Sequence, residues 1–599
     1  MAEQFANLVD LCEKACARFA TRPLFGTKEA GRWAWTTYGE FRGLVAACRG
    51  GLAALGVGPG DKVALISNNR VEWAACAHAA YGRGAAVVPM YEAQLPSEWE
   101  FILADCGAKI VFVANETIAA RLASVTNLAD LRHIVRFDTP PEAPGSFAAL
   151  LDQGRRAPVP PISPAQGVTA NLIYTSGTTG KPKGVVLSHG NVISNINALN
   201  QVFPFEPEDR SLSFLPWAHA FGQMELHVFF SMGCALALNG RVTSLIEEMA
   251  EIKPTVLVVV PRIFISLYAA VGDQLRGRPK FMQWLFRTGI ETATRRACGQ
   301  PVGLLAAIGL RLADALVFSK VRARFGGSLK YVICGGAALG IEIGRFLDAL
   351  GLTIYEGYGL TETSPIVSAN CPGHRRFGSC GQVIPGVRVV IDPVAGAGTE
   401  GEIAVYGPNV MQGCHNRPDE SGALLPDGGL RTGDLGHLDQ DGFLYITGRL
   451  KEQFKLENGK YVMPGPLEEE LKVSPYIANV VLYGDNKPYL VALVLVDRAH
   501  LDRWATEQGF ELRDPTRDDR VRQLVRQELE HLSVGFKQFE RPGAFALAVD
   551  ELTTENGMLT PTLKLRRRIV VSKYKPILDA LYGPPDRAEA ALARHRGAA

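Results

Sequence analysis

Short apolar runs alternating with helical segments constrain this chain more than any other feature. Lys62 to Ile66 (KVALI) follows a Gly/Pro turn, and Ala85 to Pro89 follows a helical stretch over Val71 to Tyr81. The pattern recurs at Lys109 to Val113 and at Thr255 to Val260 (TVLVVV). Apolar runs this short, separated by helical periodicity, indicate α/β layering. Leu8 to Phe19 also has helical spacing. After about Pro365 the texture changes. Alternating runs such as Val387 to Ile391 and Glu402 to Tyr406 are set between Gly, Pro and Asp, and Asp441-Gly442 has the form of a hairpin turn. That region reads as a small antiparallel barrel or sheet. From about Leu450 a charged mixture of helix and strand patterns predicts a separate, smaller domain. The Pro/Ala-rich stretch from Pro140 to Pro164 reads as a surface connection.

Charge narrows the function classes. Lys plus Arg number 63 and Asp plus Glu 61, a net charge of +2. A dedicated nucleic-acid binder is usually far more basic, so no nucleic-acid partner is expected. The eleven cysteines form no CxxC pair, which points to reduced thiols and a cytoplasmic protein. Residues 1–20 carry Glu3, Asp10, Glu13 and Lys14 and so lack a signal-peptide core. The longest apolar stretch, Val302 to Phe318, is broken by Arg311 and Asp314 and is short for a membrane span, so none is expected.

The most informative stretch is Tyr174 to Asn191, YTSGTTGKPKGVVLSHGN. A strand runs into a loop of Thr, Ser, Gly and Lys, and a helix is predicted to start near His189. Small residues let backbone N–H groups approach phosphate oxygens, hydroxyls add donors, and Lys adds charge. The spacing is not that of a Walker loop, because Pro182 stands where a metal-binding Ser or Thr is needed. Taken alone, a Gly/Thr/Lys loop of this kind is more often a plain surface turn. Tyr358 to Pro365 (YGLTETSP) combines an aromatic face, a Thr hydroxyl and one carboxylate at the end of a predicted strand over Thr353 to Glu356. His219, beside Trp217 and Phe221, reads either as a packed core histidine or as a cleft residue. Asp439 to Gly442 fails as a calcium loop, since His437 and Gly448 occupy its first and closing ligand positions.

The run from Tyr174 to Asn191 resembles the phosphate-loop signature of the adenylate-forming superfamily, which includes acyl-CoA synthetases, peptide-synthetase adenylation domains and beetle luciferases. Companion motifs follow in that superfamily's order. The resemblance implies an α/β fold with a large N-terminal domain of two layered α/β subdomains plus a small β-barrel (about 366–448), followed by a small mobile α+β C-terminal domain. It implies domain limits of 1–448 and 449–582, and the polar, Ala-rich stretch 583–599 beyond them reads as a disordered tail. It places Thr175, Ser176, Gly177, Thr178, Thr179 and Lys183 at the phosphates, and Gly336 and Ala337 between adenine and the acyl chain. Tyr358 and Gly359 would lie at adenine, Thr361 at phosphate, and Glu362 would hold Mg²⁺. Arg431 to Asp434 (RTGD) resembles the ribose motif, with Asp434 accepting ribose hydroxyls and Arg449 assisting. Lys451 would be the hinge, Lys455 a lysine used after the small domain turns, and Lys564 the adenylation lysine. His219 would line the carboxylate site.

Val260 to Tyr268 (VPRIFISLY) and Leu316 to Gly327 (LVFSKVRARFGG) resemble the long-chain fatty acyl-CoA synthetases, as does Leu563 before Lys564. The implied activity converts a fatty acid, ATP and CoA to acyl-CoA, AMP and pyrophosphate with Mg²⁺. Gly222 and Gln223 depart from that branch's Glu-Arg pair and leave the acid open. An aryl- or medium-chain-CoA ligase and an acyl-AMP ligase stay as alternatives on the same fold, and a non-catalytic acyl or nucleotide sensor as one of another class. The segment from Arg276 to Arg296 holds six basic residues against Glu291, with Phe281, Trp284 and Leu285 at helical spacing. It reads as peripheral contact with an anionic membrane surface or as an ordinary soluble helix. The oligomeric state is not legible.

Overall fold

Apolar residues on both faces of a strand demand cover on both sides, and the first sheet meets that demand with helices. The computed structural model describes residues 3–125, 128–176, 182–297, 300–394, 400–418, 423–554, 556–560 and 565–583. Lys62–Ile66 lies in the sheet's interior, with Val63, Ala64, Leu65 and Ile66 wholly buried. It pairs in parallel with Ala86–Met90 on one side and Ile110–Val113 on the other. His133–Arg136 adds one edge. On the other side Ala86–Met90 meets Thr169–Ser176, which pairs antiparallel with Pro182–Ser188 and so ends next to Gly413–Cys414, giving seven strands. The strand Pro182–Ser188 passes directly into the helix His189–Val202, which Ser188 and Asn191 close with a reciprocal capping box.

A second sheet has a parallel core of Val256–Val259, Tyr331–Cys334 and Ile354–Gly359, extended antiparallel by Ile366–Ala369 and Gln382–Val383. Here the strand runs further than the sequence pattern indicates. Tyr358 and Gly359 stay extended because they pair with Ser368 and Ile366, so the turn begins only after Gly359. A third, four-stranded sheet joins the hairpin Pro23–Glu29/Arg32–Thr37 to Ala235–Leu238 and Arg210–Ser213. The expected small β unit is a four-stranded antiparallel sheet of Arg388–Pro393, Gly401–Tyr406, Leu430–Leu438 and Leu444–Arg449. Its last hairpin turns at Asp439 to Gly442, where Gly442 takes φ +79°.

Beyond Arg449 the chain builds a three-stranded sheet of Ile477–Tyr483, Val491–Val496 and Ala544–Ala548, flanked by helices. Two apolar clusters of its own line the two faces. One includes Val480, Leu482 and Val525, and the other Val481, Leu493 and Tyr574. This is the α/β class with a separate C-terminal unit.

Two readings change. The stretch from Pro140 to Pro164 is not only a connection, since it contains the helix Phe147–Arg156, capped by Ser146 Oγ accepting from Ala149 N–H at 3.1 Å. Phe147, Leu150 and Leu151 bury against the helix Tyr38–Ala54. The two helices touch backbone to backbone, and a Cβ on Gly154 would stand 1.8 Å from the Ala47 carbonyl oxygen. The apolar run at Val302 to Phe318 becomes the helix Leu304–Ala313 and a wider turn, Asp314–Phe318. Among the described residues no helix is long and apolar enough to cross a membrane.

Candidate active site

The carboxyl ends of strands from both large sheets open into one cleft of about 1470 Å³. Open α/β sheets commonly take ligands at this position, because loops leave the strands there and expose backbone and side-chain donors. Thr175 ends one strand, and Pro182 and Lys183 begin its neighbour. Gly336 follows Tyr331–Cys334 at φ +85°, a conformation that Gly adopts without strain. Tyr358, Gly359, Thr361 and Glu362 follow from Ile354–Gly359, and Asp434 and Arg449 come from facing positions of the antiparallel sheet.

Two polar groupings define the cleft. Asp434 is buried, and both of its carboxylate oxygens are engaged. Tyr358 Oη donates to Oδ2 at 2.7 Å, and Arg449 Nε lies 3.0 Å from Oδ1. Burial and the Asp434 charge push the Tyr358 hydroxyl well above its ordinary pKa, while Asp434 raises that of the Arg449 guanidinium. The ring of Tyr358 is therefore pinned by its hydroxyl. The second grouping pairs Lys183 Nζ with Glu362 Oε1 at 2.9 Å, half-buried on both sides. Thr175 Oγ1 is buried close by and has no hydrogen-bond partner among the described residues. The RTGD motif itself divides. Arg431 turns to Glu402 and Asp392, Thr432 Oγ1 donates to the Ile403 carbonyl at 2.8 Å, and Asp434 accepts from the Tyr358 hydroxyl.

Deeper, the cleft becomes apolar. Phe221, Met224, Val228 and Phe229 line it from the helix Ala220–Met232, with Leu199, Phe203 and Phe205 opposite and Val258 and Ile333 from the sheet. Phe203, Phe205 and Phe229 close against one another at ring separations of 5.7 and 5.3 Å. His219 caps the helix and lines the cleft, with Nδ1 accepting from Phe221 N–H at 3.2 Å. Gly222 is forced by packing, because a Cβ there would sit 2.4 Å from the Pro216 carbonyl oxygen. Gln223 Nε2 donates to the Trp217 carbonyl at 2.8 Å instead of entering the cleft.

Not every expected residue gathers here. Ala337 is exposed and does not line the cleft. Lys455 is exposed on the two-residue strand Phe454–Lys455, its ammonium 5.7 Å from the Tyr461 ring and away from the cleft. Lys451 is exposed at the cleft's edge. Ser176 ends its strand opposite Pro182. Gly177, Thr178, Thr179 and Lys564 lie outside the described residues, as does the expected tail beyond Gly583. The residues on either side of Lys564, Thr560 and Leu565 to Ile569, line the cleft. Sequence reasoning missed Glu98, Arg566 and Glu225. For Glu225 a signal existed, since it is a lone acid in the apolar run Ala220 to Phe230.

Among the described residues no group of three or more His, Cys, Asp or Glu side chains could hold a metal by itself. Mg²⁺ commonly uses one or two carboxylates together with substrate phosphates and water, and Glu362, lining the cleft beside Lys183, offers an oxygen of that kind.

The cleft thus combines a pinned aromatic ring, a buried carboxylate beside an arginine, and a lysine at a carboxylate. Residues 12–415 match the AMP-binding enzyme family and residues 451–584 the AMP-binding enzyme C-terminal domain. The chain belongs to the AMP-binding enzyme family. It is 31% identical over 568 residues to the long-chain-fatty-acid–CoA ligase FadD15 of Mycobacterium bovis, covering 92% of this chain and 93% of that protein. It is 29% identical to the human long-chain-fatty-acid–CoA ligase 1, over 94% of this chain and 84% of that one. Among solved structures, the adenylation domain of the carboxylate reductase from Mycobacterium chelonae shares the fold at a TM-score of 0.80 and 22% identity, covering 96% of this chain and 91% of that one.

Proposed function

We propose that this protein is an ATP-dependent, AMP-forming acid–thiol ligase that activates a long-chain fatty acid to acyl-AMP and transfers the acyl group to CoA. The observation that carries the reading is the juxtaposition in one cleft of the Tyr358–Asp434–Arg449 cluster, the Lys183–Glu362 pair and an apolar inner chamber. The names of the relatives supply the acid and the thiol.

In the first half-reaction a carboxylate oxygen attacks the α-phosphorus of ATP, and the bond to pyrophosphate breaks. In the second, the CoA sulfur attacks the acyl carbonyl, AMP leaves, and the thiol proton is released. Neither step needs a covalent link to the protein, so the residues act by position and charge. Tyr358 offers its ring to adenine. Asp434 and Arg449 hold the ribose. The Thr175 hydroxyl and Lys183 face phosphate oxygens, and His219 lies where the substrate carboxylate meets the chamber. Glu362 would hold Mg²⁺, which when bound offsets the negative charge of the phosphates.

Lys564 is assigned as the donor to the phosphoryl oxygens, supported by its neighbours Thr560 and Leu565 lining the cleft. Residues 449–582 are assigned as the unit that turns about Lys451 between half-reactions, bringing Lys455 into use. Mass spectrometry of products from MgATP, CoA and a panel of fatty and aromatic acids tests the reaction. Long-chain acyl-CoA is expected, and acyl-AMP without thioester would refute the CoA step. Lys564→Ala should abolish pyrophosphate release while sparing thioester formation from supplied acyl-AMP. Equal loss of both would refute the role of Lys564.

The membrane contact is supported by one surface. The packed helices Lys280–Ala297 and Leu304–Ala313 expose Leu304 at 80%, Leu305 at 85%, Phe281 at 60% and Trp284 at 58%. Arg278, Lys280, Arg287, Arg295, Arg296 and Arg311 are exposed in the same segment, against the exposed acid Glu291. Apolar insertion flanked by cations suits an anionic lipid surface. Flotation with anionic vesicles at low salt should carry the protein. Leu304→Glu with Leu305→Glu should release it, and no flotation of the unaltered protein would refute the contact.

A further inference from the structure

Glu225 sits on the same helix face as Phe221, Val228 and Phe229 and is 3% exposed. Its Oε1 accepts from Ser211 Oγ at 2.9 Å and its Oε2 from Ser213 Oγ at 2.7 Å. Both serines belong to the strand Arg210–Ser213 and are wholly buried. Among the described residues no cation pairs with this carboxyl, and burial pushes its pKa up to about 7. A carboxyl group offers about four acceptor positions when ionised, and two serines fill two of them. A plain methylene chain laid against the remainder desolvates it without return.

We infer that Glu225 is a specificity-determining residue that hydrogen-bonds a hydroxyl group carried mid-chain on the acyl substrate. A hydroxyl suits this group better than an amine, because it donates to the carboxylate and accepts from the carboxylic acid, matching either protonation state. The position follows from the helix. Glu225 lies six residues beyond His219, roughly 9 Å along the axis at 1.5 Å per residue, so the partner is remote from the reacting carboxyl. Sites built to pair a substrate hydroxyl discriminate against the analogue that lacks it, because the buried protein group is then left unmet. The preferred substrate class is therefore a hydroxylated fatty acid. The inference rests on the acid-activating reading above.

The test is a scan of kcat/KM, read as pyrophosphate release, for hexadecanoic acid and its monohydroxy forms from the β carbon to the ω carbon. The unaltered protein is expected to show a peak at one mid-chain position, about tenfold or more above the plain acid. Glu225→Leu should erase the peak and favour the plain acid. Glu225→Gln, which keeps an acceptor and a donor, should retain it in part. A flat scan in the unaltered protein would overturn the inference without needing any variant. A peak that survives in Glu225→Leu would overturn the role of Glu225 and leave it as a brace between helix and strand. If no acid, plain or hydroxylated, releases pyrophosphate, the acid-activating reading itself fails, which is a distinct result.

Discussion

Arg566 Nη2 lies 3.3 Å from Glu98 Oε1, joining the C-terminal unit to the helix Pro96–Cys106 at the rim of the cleft. Both side chains are partly exposed, at 30% and 21%. An ion pair in that setting is worth about 0.2–1 kcal/mol and weakens with salt. It holds the segment next to Lys564 over the cleft, so its effect should fall on one half-reaction. Glu98→Gln is expected to slow acyl-AMP formation by up to about fivefold at low salt, and less at high salt. Thioester formation from supplied acyl-AMP should be unchanged or faster. The exchange Glu98→Arg with Arg566→Glu should recover much of the loss. Equal slowing of both half-reactions would show that the contact does not select between them.

Asp434 faces two partners at once, which makes its removal more costly than either contact alone. Asp434→Ala leaves the Tyr358 hydroxyl and the Arg449 guanidinium without their shared acceptor. Such a loss typically costs about 2–3 kcal/mol. The expected result is a fall of roughly 30- to 150-fold in kcat/KM for ATP. Tyr358→Phe keeps the carboxylate and the ring and should cost about tenfold or less. Steady-state kinetics with ATP as the varied substrate check both, and a larger effect of Tyr358→Phe than of Asp434→Ala would contradict the arrangement.

The sequence showed the strands well where burial is two-sided, as at Lys62–Ile66 and Val256–Val259, because an uninterrupted apolar run has few other uses. The strand through Tyr358 and Gly359 was harder to delimit, since its last residues are held by cross-strand partners rather than by their own polarity. The helix Phe147–Arg156 hid among prolines and alanines for a similar reason. Its evidence is the close approach of Gly154 to the facing helix, which only tertiary structure reveals. Within the site, Tyr358, Asp434, Arg449, Lys183 and Glu362 were legible as motif residues. Glu98 and Arg566 were not, because an ion pair between residues 468 positions apart leaves no local pattern. Glu225 was visible as an anomaly in an apolar helix, but its serine partners on another element were not.

Gly359 is fixed by packing rather than by its own backbone angles. A Cβ there would sit 1.8 Å from the Pro365 carbonyl oxygen and 2.7 Å from the carbonyl carbon, and backbone cannot swing away as a flexible side chain can. Gly359→Ala should therefore displace the turn that carries Thr361 and Glu362, lowering both the melting temperature and pyrophosphate release severely. Gly442→Ala is the matched contrast. Gly442 has φ +79° but nothing within 4 Å of the added carbon, so it should lose only about 1–2 kcal/mol for the left-handed conformation. Thermal melts of the two variants side by side separate a steric cause from a conformational one, and similar losses would contradict it.

Glu225 also predicts a pH dependence of stability whose sign can be worked out. Burial raises its folded pKa to about 7 from an ordinary 4.5, with the Ser211 and Ser213 hydroxyls only partly opposing. Between those values the unfolded chain gives up the proton and the folded chain keeps it. The stabilisation from a protonated Glu225 is thus complete below about pH 4.5 and is lost as pH rises through about 7. At about 1.4 kcal/mol per unit, the loss reaches roughly 3 kcal/mol. Buried His189 and His227, held down to about 4 and about 3, act in the opposite sense, since the folded state resists their protonation as pH falls. Those terms are common to the unaltered protein and to Glu225→Gln, so they cancel in the difference. The melting temperature of Glu225→Gln relative to the unaltered protein should therefore rise by about 2 °C between pH 5 and pH 8. A difference that stays constant over that range would show that the Glu225 carboxyl titrates normally and that the chamber wall is already wet.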